Sequence, residues 1–315
     1  MKNLMLKREF GIFMLLVLLC TAVAMRNPRF LSIPNLRSTG QLIGMFGIFS
    51  IGTGLVIITG GIDLSTGSLM ALMGVQLAIL LVDKQWPWPL AILSVLVVSS
   101  LLGLAHGMLI TRLKLQPFIV TLCGLLIYRG AAQFIAQDET KGFGNEKGFE
   151  FLQQIATERT MGVPNPLIVM IFIAVVMWVV LHRSVYGRYL FAVGQNEAAA
   201  RYSGINTRGM ITSAYVLSGL FGGIAAILFA FYTNSISPSS HAQSYELYGI
   251  AAAVLGGCSL SGGEGSVLGI VLGTALLRVL ENLVILLNIP SSLDFAVMGT
   301  VILLGVTADK LLKKK

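Results

Sequence analysis

Apolar runs of membrane-crossing length constrain this chain more than any other feature of its sequence. They lie near residues 11–25, 40–59, 66–82, 88–110, 118–136, 165–182, 211–232, 247–257, 267–288 and 293–308. A helix that crosses a bilayer needs roughly 20 mainly apolar residues, so the pattern predicts an all-α polytopic membrane protein of about ten transmembrane helices. Two runs are weak, because 247–257 is short and 66–82 starts in a glycine-broken stretch. The lower count is therefore about eight. With 55% hydrophobic and 11% charged residues, a soluble domain of this length would have too little polar surface to cover itself. Residues 1–315 read as a single transmembrane domain.

Basic residues in short loops are retained on the cytoplasmic side of a membrane. Alternating the runs from an inside N-terminus puts Lys2, Lys7, Arg8, Arg112, Lys114, Arg183, Arg188, Arg201, Arg208, Lys310, Lys313, Lys314 and Lys315 inside. Fewer remain outside: Arg26, Arg29, Arg37, Lys84, Lys141, Lys147 and Arg159. Both termini are expected in the cytoplasm. The net charge of +8 then belongs to residues flanking spans, so the implied partner is the lipid bilayer and not a nucleic acid. Ala22-Val23-Ala24 after the first run resembles a signal-peptidase site, but later runs continue the same topology and an uncleaved first span is expected. Cys20, Cys123 and Cys258 are far apart in apolar or glycine-rich surroundings and read as buried thiols, not a disulfide framework or metal site. His106, His182 and His241 are isolated as well and lack the spacing of metal ligands.

Polar residues concentrate in two loops, 137–164 on the outside and 182–210 on the inside. In the inner loop, Asn196 can cap a short helix through Glu197, Ala198, Ala199, Arg201 and Tyr202, and Gly204 can close it before Asn206. Glu197 and Arg201 stand at i and i+4. Such a helix serves either as an interfacial connector or as a docking element for a cytoplasmic partner.

Two polar, glycine-rich stretches interrupt the apolar pattern. The first contains Gly60, Gly61, Asp63 and Ser65; the second contains Gly256, Gly257, Ser259, Ser261, Gly262, Gly263 and Glu264. Phe46-Gly47-Ile48 leads to the first as Tyr248-Gly249-Ile250 leads to the second, and paired broken helices point to a translocation path. Both fall at the cytoplasmic ends of their spans and read as hinges near an inner gate. Ionisable residues in spans are costly unless they face protein or water, which singles out Asp63, Arg129, Glu264, Arg278 and Glu281. Asp63 can bond locally to Ser65 or contact the solute, Arg129 can snorkel or cap a carbonyl, and Arg278 can neutralise Glu281 three residues on. Glu281, Asn282 and Arg129 are the pathway candidates. Gly40/Gly44, Gly103/Gly107, Gly219/Gly223 and Gly269/Gly273 have the small-xxx-small spacing of close helix packing.

Five stretches in order resemble permease subunits of bacterial ABC importers, in the branch of the ribose, xylose, galactose, arabinose and autoinducer-2 systems. They are Asn27-Pro28-Arg29-Phe30-Leu31-Ser32 with Asn35-Leu36, Gly60 to Ser68, Pro117 to Leu122 with Tyr128-Arg129-Gly130, Gly194 to Asn206, and Tyr245-Glu246-Leu247 through Gly269. The chain departs from the pattern at Glu264, where a basic residue is common, at Leu280-Glu281-Asn282, and at Pro290 to Asp294. The resemblance implies that residues 194–206 couple to a cytoplasmic ATPase. It also implies a soluble binding protein outside and a second permease copy or close paralogue beside this chain.

The residues agree on energy supply. No Gly-x-x-x-x-Gly-Lys-Ser/Thr occurs, so no phosphate-cradling loop of that kind is present. ATP and Mg are expected on the partner ATPase, with no cofactor on this chain. The alternative within transport is an ion-coupled secondary transporter holding Na⁺ or H⁺ near Asp63 and Glu281. A membrane enzyme would need a paired base and nucleophile, and Ser259 and Ser261 have no base beside them, so no catalytic residue is assigned.

Overall fold

The computed structural model describes the backbone from residue 2 and side chains from residue 9 as far as 144, then residues 148–287, with single positions beyond. Most of the expected run at 293–308, the C-terminal lysines and Lys147 lie outside the described residues.

The described chain is helical almost throughout. Helix α1 covers Lys2–Arg26, α2 Ile33–Ile58, α3 Thr66–Ala78 with a π turn over Ile79–Asp83, α4 Trp88–Arg112 and α5 Pro117–Ala136. The outer loop holds α6, Glu150–Thr157, and a small hairpin of β1, Arg159–Thr160, with β2, Val163–Pro164. Then follow α7 Asn165–Arg183, α8 Val185–Gln195, α9 Glu197–Tyr202, α10 Thr207–Thr233, α11 Tyr245–Leu255 and α12 Val267–Leu286. Proline sits in the first turn of α2, α4, α5 and α7, where its missing N–H has no helical partner to lose.

Among the described residues, 8 helices are long and apolar enough to cross a membrane, where the sequence suggested about ten crossings, or about eight if its two weak runs do not span. The run at 247–257 is the difference that can be explained. It folds as the 11 residues of α11, which rise about 16 Å against a hydrocarbon core of about 30 Å. Helix α11 is therefore a half-span.

Burial orders the bundle from centre to edge. Helix α2 is 89% buried over its apolar window and α1 only 6%, so α2 is the central post and α1 lies at the edge. Lipid gives helices no hydrophobic reason to associate, and small residues that let backbones approach take its place. On α4, a Cβ at Gly103 would land on the Tyr215 carbonyl of α10, and one at Gly107 on Thr212. Gly219 and Gly223 of α10 meet Ser99 of α4 in return. Gly44 places α2 against Pro166 and Leu167 of α7. Gly269 and Gly273 place α12 against the carbonyls of Gly256 and Ala252 at the end of α11. Gly40 is looser, with its nearest neighbour 3.5 Å from a Cβ position.

A Gly103→Val substitution is expected to push α4 off α10 and lower stability by about 1–3 kcal/mol, the usual range for overpacking. Gly130→Ala, on α5 with nothing within 4 Å of its Cβ position, is expected to be neutral or slightly stabilising. Thermal unfolding in detergent compares the two.

Candidate functional site

The two glycine-rich turns meet. The Gly263 N–H donates to the Ile58 carbonyl at 2.8 Å, closing the second turn onto the end of α2. A Cβ at Gly262 would lie 2.9 Å from the Gly60 nitrogen and 2.6 Å from the Gly194 carbonyl. Gly194, the penultimate residue of α8, has no room for a Cβ between the Ile58 carbonyl and the Gly263 nitrogen. Three glycines from separate parts of the chain thus bring the first turn, the second turn and α8 into backbone contact. Gly262 and Gly263 have φ of +83° and +76°, which side chains with a Cβ rarely adopt.

Other residues of the turns have local tasks. The Ser259 N–H donates to the Glu264 carbonyl at 3.1 Å, and the Ser261 N–H lies 3.3 Å from the Ser259 hydroxyl. Gly256 packs under Gly269, and Gly257 takes φ +92° at the end of α11. A cavity of about 390 Å³ opens beside the junction, lined by Glu9, His182, Arg188, Gln195, Glu264 and Ser266 among others. Ser266 caps α12 by accepting from the Gly269 N–H, and its hydroxyl bonds to the Glu9 carboxylate of α1. A negative carboxylate there complements the helix dipole.

Directly after α8, Asn196 accepts from the Ala199 N–H at 2.9 Å and starts α9. Glu197 pairs with Arg201 and also accepts from Thr207 at 3.2 Å. Gly204, at φ +82°, lets the Ile205 N–H reach back to the Ala200 carbonyl. Asn206 caps α10 through the Gly209 N–H. Ala200 is the buried face of α9, while Ala198, Ala199, Arg201 and Tyr202 point outward, Tyr202 at 93% exposure.

Above the first turn, Asp63 is buried and fully bonded. Its Oδ1 accepts from the Ser65 N–H at 3.0 Å and hydroxyl at 2.7 Å, and its Oδ2 from the Ser218 hydroxyl at 2.9 Å. The Tyr215 hydroxyl donates to the Ile62 carbonyl at 3.2 Å in the space that Gly61 leaves. His106 and Tyr128 join through Nε2 and the phenol at 2.8 Å. Gly124 leaves room for His106 between α5 and Ser65.

A third break was not legible in the sequence. Residues 234–244, between α10 and α11, run as non-helical backbone alongside α3, with Ile236, His241 and Ala242 buried. Gly67 faces the Ala242 carbonyl and the Glu246 carboxylate, and Gly74 faces Ile236 and His241. Irregular backbone beside a span is tolerated only when protein satisfies it. Here Arg129 does so, its Nη1 donating to the carbonyls of Pro238 at 3.0 Å and His241 at 2.8 Å. Ile236 also pairs with Lys141 of the outer loop.

Arg278 and Glu281 form an ion pair on α12. The structure adds an aromatic shell from distant helices: the Arg278 guanidinium lies 3.7 Å from the Phe46 ring centroid and 4.7 Å from that of Tyr248. Asn282 is spent on a reciprocal amide pair with Asn35, at 2.8 and 3.1 Å. The pathway candidates are therefore apart: Arg129 holds the third break, while Glu281 and Asn282 adjoin α2. Among the described residues no group of His, Cys, Asp and Glu is arranged to hold a metal ion.

Comparison with known proteins places this arrangement. The family model described as "Branched-chain amino acid transport system / permease component" matches residues 39–306. The chain is 36% identical to the ribose import permease of Bacillus subtilis (strain 168), over 96% of this chain and 93% of that one. It is 29% identical to the D-allose transport system permease of Escherichia coli (strain K12), over 97% and 93%. It is 32% identical to an autoinducer 2 import system permease of Escherichia coli (strain HS), over 95% and 90%. No solved structure matches.

Arg129→Met is expected to strip both carbonyls of their donor, at about 1–3 kcal/mol for each buried group left unmet. Hydrogen exchange should rise in residues 234–244 and stay level in α4. Unchanged exchange in 234–244 would show that the guanidinium does not hold this segment.

Proposed function

The chain belongs to the family of permease components described for the branched-chain amino acid transport system, and from that membership we propose that it carries a sugar or sugar-like small solute across the bacterial inner membrane. It is the membrane subunit of an ATP-driven importer and not itself an enzyme. A separate cytoplasmic ATPase subunit binds ATP and Mg, a soluble binding protein delivers the solute outside, and a second permease copy or close paralogue completes the path. Relatives named for import of ribose, allose and autoinducer 2 support the solute class.

The observation that carries the mechanism is the backbone junction of Gly60, Gly194 and Gly262. Helix α9 presents an outward face to the ATPase, and the stem before it, α8, ends against both glycine turns. Displacement of α9 on ATPase closure passes through Gly194 to the turn between α2 and α3 and to the turn between α11 and α12. Those pairs then rock between outward and inward openings. Asp63, held by three hydrogen bonds, keeps the first turn stiff enough to move as a unit. The ion-coupled alternative has no support of this kind.

Tyr202→Ala is expected to weaken capture of the ATPase by at least about tenfold, the loss typical of an exposed tyrosine that anchors an interface, and to cut ATP-driven uptake in vesicles in parallel. Permease stability should change by no more than about 0.5 kcal/mol, as for other exposed positions. Normal ATPase capture by Tyr202→Ala and Gly204→Asp together would remove α9 from the docking surface. Uptake that persists without ATP but stops when ion gradients are collapsed would favour the ion-coupled reading.

A further inference from the structure

Resting on that reading, we propose that Arg278 is a specificity-determining residue of the path, and that it recognises a vicinal pair of hydroxyls on the travelling sugar. The argument starts from which parts of the guanidinium are occupied. Phe46 covers one region of it and Tyr248 another, and Nη1 pairs with Glu281. Among the described residues the Nε and Nη2 atoms, both buried, have no hydrogen-bond partner. These two atoms form one edge of the planar fork, with two parallel N–H groups.

Such an edge is costly to leave empty. Arg278 is only 4% exposed, so water does not compensate its donors, and an unmet donor on a charged group is dearer than a neutral one. Packing by itself would be served by an aliphatic side chain. The fork instead fits two oxygens side by side, which either a carboxylate or a vicinal diol provides. Glu281 decides between them. It already neutralises the guanidinium, and a second carboxylate at the free edge would bring two anions together at low dielectric. Two hydroxyls accept from the same fork without that repulsion.

The edge lies behind residues that are only half-buried. Glu281 and Tyr248 are its half-buried neighbours, on α12 and α11, the pair joined by the second glycine turn. Arg278 and Tyr248 both ride on that hairpin while Phe46 belongs to α2, so rocking of the hairpin against α2 moves the Phe46 wall that covers the guanidinium. In the state described the wall is shut. A sugar entering between α2 and that hairpin meets the fork with its hydroxyls and supplies the contacts the donors lack.

The test uses the complete transporter, with its ATPase and binding protein, in proteoliposomes. Maximal uptake rates of D-ribose, 2-deoxy-D-ribose and 3-deoxy-D-ribose are read at saturating loaded binding protein, so that delivery does not set the rate. The wild type is expected to move ribose at least about tenfold faster than the slower deoxy sugar, a modest share of what hydroxyl-reading sites achieve. Arg278→Lys, which keeps the charge and loses the fork, should bring the two within about twofold of each other, since one point donor cannot grip a diol bidentately. Phe46→Leu, which leaves the edge intact, should keep the preference at whatever rate remains.

Equal slowing of all three sugars by Arg278→Lys would overturn the inference and make the residue a packing group. So would a wild type that does not discriminate, or a series in which Arg278→Lys, Arg278→Gln and Arg278→His all fail to assemble. A wild type with no ATP-driven uptake of any sugar is a different failure. It would bring down the importer reading itself.

Discussion

Backbone amides cannot be left unmet inside a bilayer, and most of what is particular about this protein follows from where its helices break. At the first break the Ile58 carbonyl is met by Gly263 and the Ile62 carbonyl by Tyr215. At the third, Arg129 meets two carbonyls at once. Each solution draws on a distant part of the chain. The groups freed by one broken helix are therefore what tie it to another, and the bundle is cross-linked at the places where regular structure fails.

The same logic separates two kinds of buried charge. Asp63, and the half-buried Arg129 through its Nη1, serve the fold: these atoms answer backbone or hydroxyl groups that would otherwise be stranded. Arg278 is held differently, by rings and one carboxylate, with an edge left over. A charge spent on backbone and hydroxyl groups supports architecture. One with donors in reserve, shielded from water, has kept a capacity for something that the fold does not provide.

Local signals were the legible ones. Asn196 and Gly204 announce the limits of α9 because capping is a matter of neighbouring residues, and each closes its end. The two glycine turns stood out against apolar flanks, and the Ser65 contact of Asp63 follows from a spacing of two residues. Long-range pairing was not legible. The serines and proline of 234–244 look like an ordinary outer loop, and only their burial against α3 shows otherwise. His106 and Tyr128 sit on different helices, as do Arg278 and Phe46, and no periodicity within one run reveals such meetings. The run at 247–257 misled by a different route, since hydropathy reports an apolar surrounding and not the depth at which a helix begins.

The contact of Gly194 with the two turns has a mechanical meaning. Where side chains separate two elements, a small displacement is absorbed by rotation about χ angles, and the far element hardly feels it. Glycine has no χ angle. At this joint backbone meets backbone, with no side-chain torsion between the two sides to take up a displacement. The arrangement has a cost in tolerance, because a single methyl group at Gly194 would act as a shim and change the resting angle of everything above it.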